Sequence, residues 1–233
     1  MFPNDVAVGP DGAIYMTDSG VLEDDIAPGG VPSRDWLSLT FDGKVFRIDP
    51  VTGAVTCLTR GLQFTNGLAF SPDEALFINE TLTGNVYRLA PDGGRILFGN
   101  VVAEPRAPDE FKGPDGMKFA ADGRLFCCVF GQGDVTVLDS TGKLDTRLPV
   151  LGRYPTNLVF GGSGEGAIYV TEIKTGSIQR IVVGCDGLPL HGQPAGLPRI
   201  ASNSALNRSA PRVQRTGASG MSRPARRLPQ EGR

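Results

Sequence analysis

Histidine is almost absent from this chain, which has a single one, His191, among its 233 residues. A histidine-based catalytic triad and a histidine-ligated metal centre are therefore both excluded, because each needs an imidazole beside its partners. We expect His191 itself to be a surface residue.

Cysteine is also scarce, and its spacing matches neither a CxxC pair nor a zinc site. We expect buried reduced thiols at all four positions, which are Cys57, Cys127, Cys128 and Cys185.

Long apolar runs and helical periodicity are missing as well. No segment approaches the roughly 18 consecutive apolar residues that a membrane-spanning helix requires. No charged segment followed by an apolar one predicts a secretory signal, so we expect a cytoplasmic protein unless such a signal precedes Met1. No stretch keeps a helical period, which predicts an all-β protein.

Four copies of one short pattern are present instead. Each copy is an Asn- or Asp-bearing turn that opens a strand, and the copies cover residues 3–8, 65–70, 114–119 and 155–160. A glycine followed by alternating apolar residues recurs farther along each copy, at residues 43–48, 84–89, 133–138 and 176–181. A repeat of roughly 40 to 60 residues with several strands in each unit is typical of a β-propeller.

The polar residues of the repeated turns are the candidate site. The innermost strands of a propeller surround one axis, so equivalent residues converge on a central pocket. Asn or Asp in a single turn fits an ordinary backbone-capping role. Recurrence at one position of the repeat favours a functional role for Asn66 and Asp115, whereas Asn157 is interpreted as mainly structural. Glu80 and Glu172 end second strands, and we interpret them as packing or rim residues, with Glu80 a candidate to face the pocket.

These motifs resemble the senescence marker protein/gluconolactonase/luciferin-regenerating enzyme family, and within it the bacterial lactonases. The resemblance rests on Pro3-Asn4-Asp5, on the segment from Asn66 to Asp73, on the segment from Gly113 to Met117 and on the segment from Thr156 to Gly162. It implies a six-bladed propeller that holds one divalent cation at its axis and hydrolyses a sugar lactone or a related cyclic ester.

The resemblance also implies roles for individual residues. Asn66 and Asp115 would be metal ligands, and Asp115 would also take a proton from the attacking water. Asn4, and less directly Asp5, would line the substrate side. Carboxylate and amide oxygens suit a hard cation, so Ca²⁺ is the first choice, with Zn²⁺, Mg²⁺ and Mn²⁺ as alternatives.

The chain departs from the family pattern at its ends. The family uses a glutamate of the first blade as a further metal ligand, and no counterpart precedes Asn4. We therefore expect residues 1–193 to be a truncated propeller with about four blades, an incomplete ring and open blade faces that promote oligomers or aggregates. Residues 194–233 carry eight arginines and one acidic residue, a formal charge of +7 beside −9 for the rest. This composition predicts a disordered, extraneous tail.

Two functions from different classes stay open. The first is metal-dependent lactone hydrolysis, with a small lactone as the partner and no nucleic acid or membrane. The alternative is a non-catalytic metal-binding or interaction propeller, or an inactive remnant. The connection from Val21 to Trp36 is longer than a hairpin needs, and its acidic Glu23-Asp24-Asp25 cluster is interpreted as a solvated charge run.

Overall fold

The structure is a computed structural model that describes residues 1–21, 26–27, 31–32, 39–104, 107 and 110–192. Every regular element in these ranges is a β-strand, which confirms the predicted all-β class. The strands are β1 Pro3–Val8, β2 Ile14–Asp18, β3 Ile26–Ala27, β4 Val31–Pro32, β5 Gly43–Ile48, β6 Val55–Leu62, β7 Thr65–Phe70, β8 Leu76–Glu80, β9 Asn85–Leu89, β10 Arg95–Asn100, β11 Gly113–Phe119, β12 Leu125–Phe130, β13 Asp134–Leu138, β14 Leu144–Pro149, β15 Pro155–Phe160, β16 Ala167–Glu172 and β17 Ser177–Val182.

Four antiparallel sheets form the blades of a β-propeller. Their strand orders are β1-β2-β5-β6, β7-β8-β9-β10, β11-β12-β13-β14 and β15-β16-β17, and β3 pairs with β4 in a separate two-stranded ribbon. Each blade begins with the strand that follows the repeated turn. These inner strands pack against one another in chain order, β1 on β7, β7 on β11 and β11 on β15. The described residues thus form four blades, and the full six-bladed ring stays a prediction.

The hydrophobic core lies between neighbouring blades. Because side chains of a strand alternate between two faces, each central blade supplies apolar residues to the blade on either side. Cys127 and Cys128 illustrate this, since they are adjacent on β12 and lie in different clusters. Cys127 packs with Phe77 and Phe119, whereas Cys128 packs with residues such as Ile168. The expectation of buried thiols is right for these two and wrong for Cys57, which is exposed, and for Cys185, which is half-buried.

Every inner strand contains a register shift near its start. The shifts fall between Pro3 and Val6 in β1, Thr65 and Leu68 in β7, Pro114 and Met117 in β11, and Pro155 and Asn157 in β15. Such bulges redirect side chains and are common beside active sites. Two residues occupy the bulge in the first three blades, and one residue occupies it in the fourth. The first bulge residue is Asn4, Asn66, Asp115 or Thr156, and the second is Asp5, Gly67 or Gly116.

Several predictions fall on residues outside the described ranges. Residues Met1–Gln193 form one compact unit. The predicted disordered tail lies outside the described residues, as do Trp36 and the acidic cluster of residues 23–25. Among the described residues, no helix has the length and apolar character needed to cross a bilayer.

Candidate functional site

A single pocket collects the first bulge residue from all four blades. Its lining also includes one residue at the end of the second strand, or directly after it, in three of the blades. The pocket has a volume of about 110 Å³ and is lined by Phe2, Asn4, Phe64, Asn66, Thr81, Phe111, Asp115, Phe130, Thr156 and Ile173. The structure therefore brings together the predicted residues Asn4, Asn66 and Asp115.

Asp115 is the carboxylate of this pocket. Burial, and secondly the negative charge of Asp5, raise its pKa from 3.8 to about 8, although hydrogen bonds from the Gly116 backbone and the Asn66 side chain oppose the change. A carboxyl group with a pKa near neutrality exchanges protons readily at physiological pH. Asp115 is thus equipped to accept a proton or, once ionised, to hold a cation.

Asn66 supplies an unsatisfied oxygen beside that carboxylate. The residue is 6% exposed, and its Nδ2 donates to Thr81 Oγ1 at 3.3 Å. Its Oδ1 is buried and has no hydrogen-bond partner in the described part of the protein. An orphaned buried acceptor is unfavourable by roughly 1–3 kcal/mol unless a ligand satisfies it. The position is consequently suited to a cation or to a hydrogen-bond donor.

The donor set fits a hard cation better than a soft one. It consists of the Asp115 carboxylate and amide oxygens, and oxygen ligands of this kind are preferred by Ca²⁺ and Mg²⁺. No group of three or more His, Cys, Asp or Glu side chains with metal-binding geometry occurs among the described residues. A cation here would therefore depend on amides, water or substrate for most of its coordination.

Asp5 lies in the β1 bulge and Asn157 directly follows the β15 bulge, and the side chains of both bind backbone. Asp5 Oδ1 accepts from Val6 N at 2.8 Å, and Asn157 Oδ1 accepts from Leu158 N at 2.8 Å. Asp5 Oδ2 also accepts from Leu68 N of the next blade at 3.1 Å. Asp5 acts on the pocket through its charge on Asp115 and is not one of the lining residues. Its substrate-binding role stays a prediction.

The acidic residues that end the second strands anchor the entry to the inner strands. Asp18 Oδ1 accepts from Phe2 N at 2.8 Å, Glu80 Oε1 from Gln63 N at 2.9 Å, and Glu172 Oε1 from Tyr154 N at 3.0 Å. Glu80 also accepts from Thr83 and from Tyr87, and it is 3% exposed. These contacts support the packing interpretation of Glu80 and Glu172, because the carboxylates are used to hold backbone.

Glycine at position 67 is required by a close approach between two inner strands. A Cβ at Gly67 would lie 2.3 Å from the Asp115 carbonyl oxygen. Asn79 joins the same two strands, because its Oδ1 accepts from Gly67 N at 3.0 Å and its Nδ2 donates to Asp115 O at 2.7 Å. The backbone of Asp115 is thus positioned by the second blade.

We predict that Gly67→Ala separates these strands and destabilises the protein by about 1–3 kcal/mol, the usual effect of overpacking. The midpoint of urea unfolding measures the change. Gly162→Ala is the matched control, since nothing lies within 4 Å of a Cβ at that position. Equal midpoints for the two variants would contradict the prediction.

Sequence reasoning missed a second repeated position of the pocket, which lies at the end of the second strand or directly after it. Thr81, Phe130 and Ile173 occupy equivalent positions in three blades and all line the pocket. Their equivalence was available from aligning the copies beyond the first strand. His191, predicted to be a surface residue, is instead half-buried, with its ring 5.7 Å from that of Phe70 and its Nε2 buried without a partner among the described residues.

Comparisons with known proteins agree with the architecture. Lactonase drp35 of Staphylococcus epidermidis is 34% identical over 115 residues, which cover 48% of this chain and 35% of the relative. A gluconolactonase structure from Xanthomonas campestris is 26% identical with a TM-score of 0.53, over 81% of this chain and 57% of that one. Regucalcin from Agrobacterium tumefaciens, a calcium-binding protein, has a TM-score of 0.62 at 19% identity, over 81% and 63%. That last likeness concerns the fold.

The match to the family itself covers most of the chain. The chain spans only 35% of the length of the curated lactonase, so that protein's activity does not transfer directly. Residues 1–174, however, match the model of the SMP-30/gluconolactonase/LRE-like region, and this span contains every residue of the pocket. The chain therefore belongs to the SMP-30/gluconolactonase/LRE-like family.

Proposed function

We propose that this chain carries a metal-dependent site for the hydrolysis of lactones. The observation that supports it is the convergence of Asn4, Asn66 and Asp115 on one pocket, each from the bulge of a different inner strand. Family membership and the relatives named lactonase and gluconolactonase favour the same class of reaction. The chemistry needs a group that orients the ester carbonyl and a group that accepts a proton from water.

Asn66 and Asp115 would hold the divalent cation, with Ca²⁺ the first candidate on the basis of the oxygen donors. When bound, such a cation polarises an ester carbonyl and lowers the pKa of a water molecule, which contributes several kcal/mol of transition-state stabilisation. Asn4 lines the pocket and is exposed, and we assign its amide to contact with the lactone.

Asp115 is the proton acceptor of the proposed reaction. It takes a proton from water as the water oxygen forms a bond to the carbonyl carbon. The ring C–O ester bond then breaks, and the same proton returns to the departing alkoxide, so the product is a hydroxy acid. A bound cation would favour the ionised form of Asp115, which is the form that accepts the proton.

Proton release from δ-valerolactone and glucono-δ-lactone, followed at constant pH, tests this proposal. The protein is first treated with EDTA, and Ca²⁺, Mg²⁺, Mn²⁺ or Zn²⁺ is then added separately. We expect turnover to disappear on chelation and to return with at least one cation. Turnover that survives chelation would remove the metal from the mechanism.

The same preparation separates the two classes of function. Absence of turnover with every cation would overturn the hydrolase proposal. Calorimetric titration would then distinguish a binding module, which takes up a cation without turnover, from a chain that binds none.

A further inference from the structure

We propose that the pocket selects cyclic esters with an apolar substituent, such as alkyl- or aryl-substituted lactones, over polyhydroxylated sugar lactones. This inference rests on the proposed function and specifies its substrate class. It is drawn from the lining of the pocket, half of which is polar. The other half is aromatic or aliphatic and consists of Phe2, Phe64, Phe111, Phe130 and Ile173.

The aromatic wall is a continuous arc of rings in contact. Neighbouring centroids are 6.0 Å apart for Phe41 and Phe64, 5.6 Å for Phe64 and Phe111, 5.9 Å for Phe111 and Phe130, and 4.8 Å for Phe130 and Tyr154. The first three pairs meet edge to face, the arrangement that aromatic rings prefer. Three of the five rings, Phe64, Phe111 and Phe130, line the pocket and give it an ordered apolar surface.

The arc is held in place by the backbone. Phe64 is 3% exposed and has a φ of 61°, a left-handed conformation that is unusual for a bulky residue. Its carbonyl oxygen accepts from Thr81 N at 2.9 Å, and Glu172 anchors Tyr154 N at the other end of the arc. A residue kept in a rarely populated conformation next to a pocket is typical of a functional constraint. The surface is thus formed before any ligand binds.

The hydroxyl and amide donors of the lining are already engaged, so a ring that carries many hydroxyl groups finds few donors for its oxygens. Thr81 Oγ1 already donates to Pro114 O at 2.8 Å, Asn4 Nδ2 donates to Ser19 Oγ at 2.9 Å, and Thr156 Oγ1 contacts Thr171 Oγ1 at 2.8 Å. None of the ten lining residues is a lysine or an arginine. The Asp115 carboxylate and the Asn66 oxygen are the remaining acceptors of the lining, and the proposed reaction uses them to hold the cation.

The magnitudes favour the apolar substrate. A hydroxyl that loses water against a phenyl wall is unfavourable by roughly 1–3 kcal/mol, whereas each buried methylene is favourable by about 0.8 kcal/mol. Replacing two sugar hydroxyls by a short alkyl chain therefore changes the binding free energy in favour of the apolar lactone. Only substituents that reach the apolar lining gain from it, so the discrimination should fall when one of the five apolar lining residues is made polar.

Binding of matched lactams, which are not hydrolysed, tests the inference independently of catalysis. We expect calorimetry on the full chain with added Ca²⁺ to show 6-pentyl-δ-lactam bound at least tenfold more tightly than gluconolactam.

Ile173→Ser is the informative variant, because the residue lines the pocket and is 55% exposed, so its replacement should not unfold the protein. We expect it to weaken the alkyl lactam by about three- to tenfold, the effect of losing part of one apolar contact. Ile178→Ser, in the same blade but outside the pocket and 72% exposed, is the control and should change neither affinity.

Equal or tighter binding of gluconolactam would overturn the inference, and so would failure of the alkyl lactam to bind. Loss of the preference in the Ile178→Ser control would show that the apolar lining of the pocket is not its source. Turnover of the corresponding lactones reports separately on the proposed function. A chain that prefers the alkyl lactam but hydrolyses no lactone would retain the inferred specificity and lose the proposed reaction. A chain that hydrolyses lactones but binds gluconolactam more tightly would retain the proposed reaction and lose the inferred specificity.

Discussion

Replacement of Asp115 by Asn should lower kcat/KM for lactone hydrolysis by about a hundredfold to ten-thousandfold, the range associated with loss of a general base. The substitution keeps the shape of the side chain and one oxygen that can face a cation. It removes the ability to accept a proton from water, which is the role we assign to this residue. The rate of proton release from δ-valerolactone at saturating Ca²⁺ measures the effect.

Asp122→Asn is the matched control for this experiment. Asp122 is in the same blade, in the turn between β11 and β12, and its carboxylate accepts from Arg124 outside the pocket. Exposed ion pairs of this kind contribute only about 0–1 kcal/mol to stability, so the control should fold and retain activity. Full activity of Asp115→Asn would show that another group accepts the proton.

The metal-free protein should lose stability, relative to its Asp115→Asn variant, as the pH rises from about 4 to about 8. Burial and the charge of Asp5 raise the pKa of Asp115 from 3.8 to about 8. The folded state therefore keeps the proton over a range in which the unfolded chain has released it. The stability contributed by protonated Asp115 is complete below the pKa of this residue in the unfolded chain. It is lost as the pH rises through the pKa of Asp115 in the folded protein. Urea midpoints of both proteins in EDTA, taken at intervals of pH, measure the difference.

The stabilisation of the protein by added Ca²⁺ should increase with pH, in contrast to the stability of the metal-free protein. A cation requires the ionised carboxylate, so protons compete with it below the folded pKa of Asp115 and cease to compete above it. The upward shift of the thermal midpoint with Ca²⁺ should thus be larger at pH 8.5 than at pH 5.5. Asn66→Ala should reduce this shift, because it removes the orphaned oxygen beside the carboxylate. A shift that is the same at both pH values would argue against Asp115 as a ligand.

The repeat by itself was sufficient to predict the strands and the class of fold. Alternating apolar residues determine which face of a strand is buried, and glycine in the connecting turns permits the reversal between strands, as at Gly123 with a φ of 90°. The same local logic located the bulge residues Asn4, Asn66 and Asp115, because a copied turn must occupy the same place in every blade. These properties are encoded within a few neighbouring residues, so they can be read directly.

The tertiary structure alone decided which polar groups are available for chemistry. Asp5 and Asn66 are both polar bulge residues, yet Asp5 receives an N–H from Leu68, 63 positions along the chain, whereas the Asn66 oxygen receives none. The raised pKa of Asp115 likewise depends on burial by neighbouring blades and on a charge from β1. The apolar wall combines Phe64 with Phe130, residues that local periodicity could not relate to one another. Partners supplied by distant strands are set by how the blades pack, and no local pattern in the sequence records that packing.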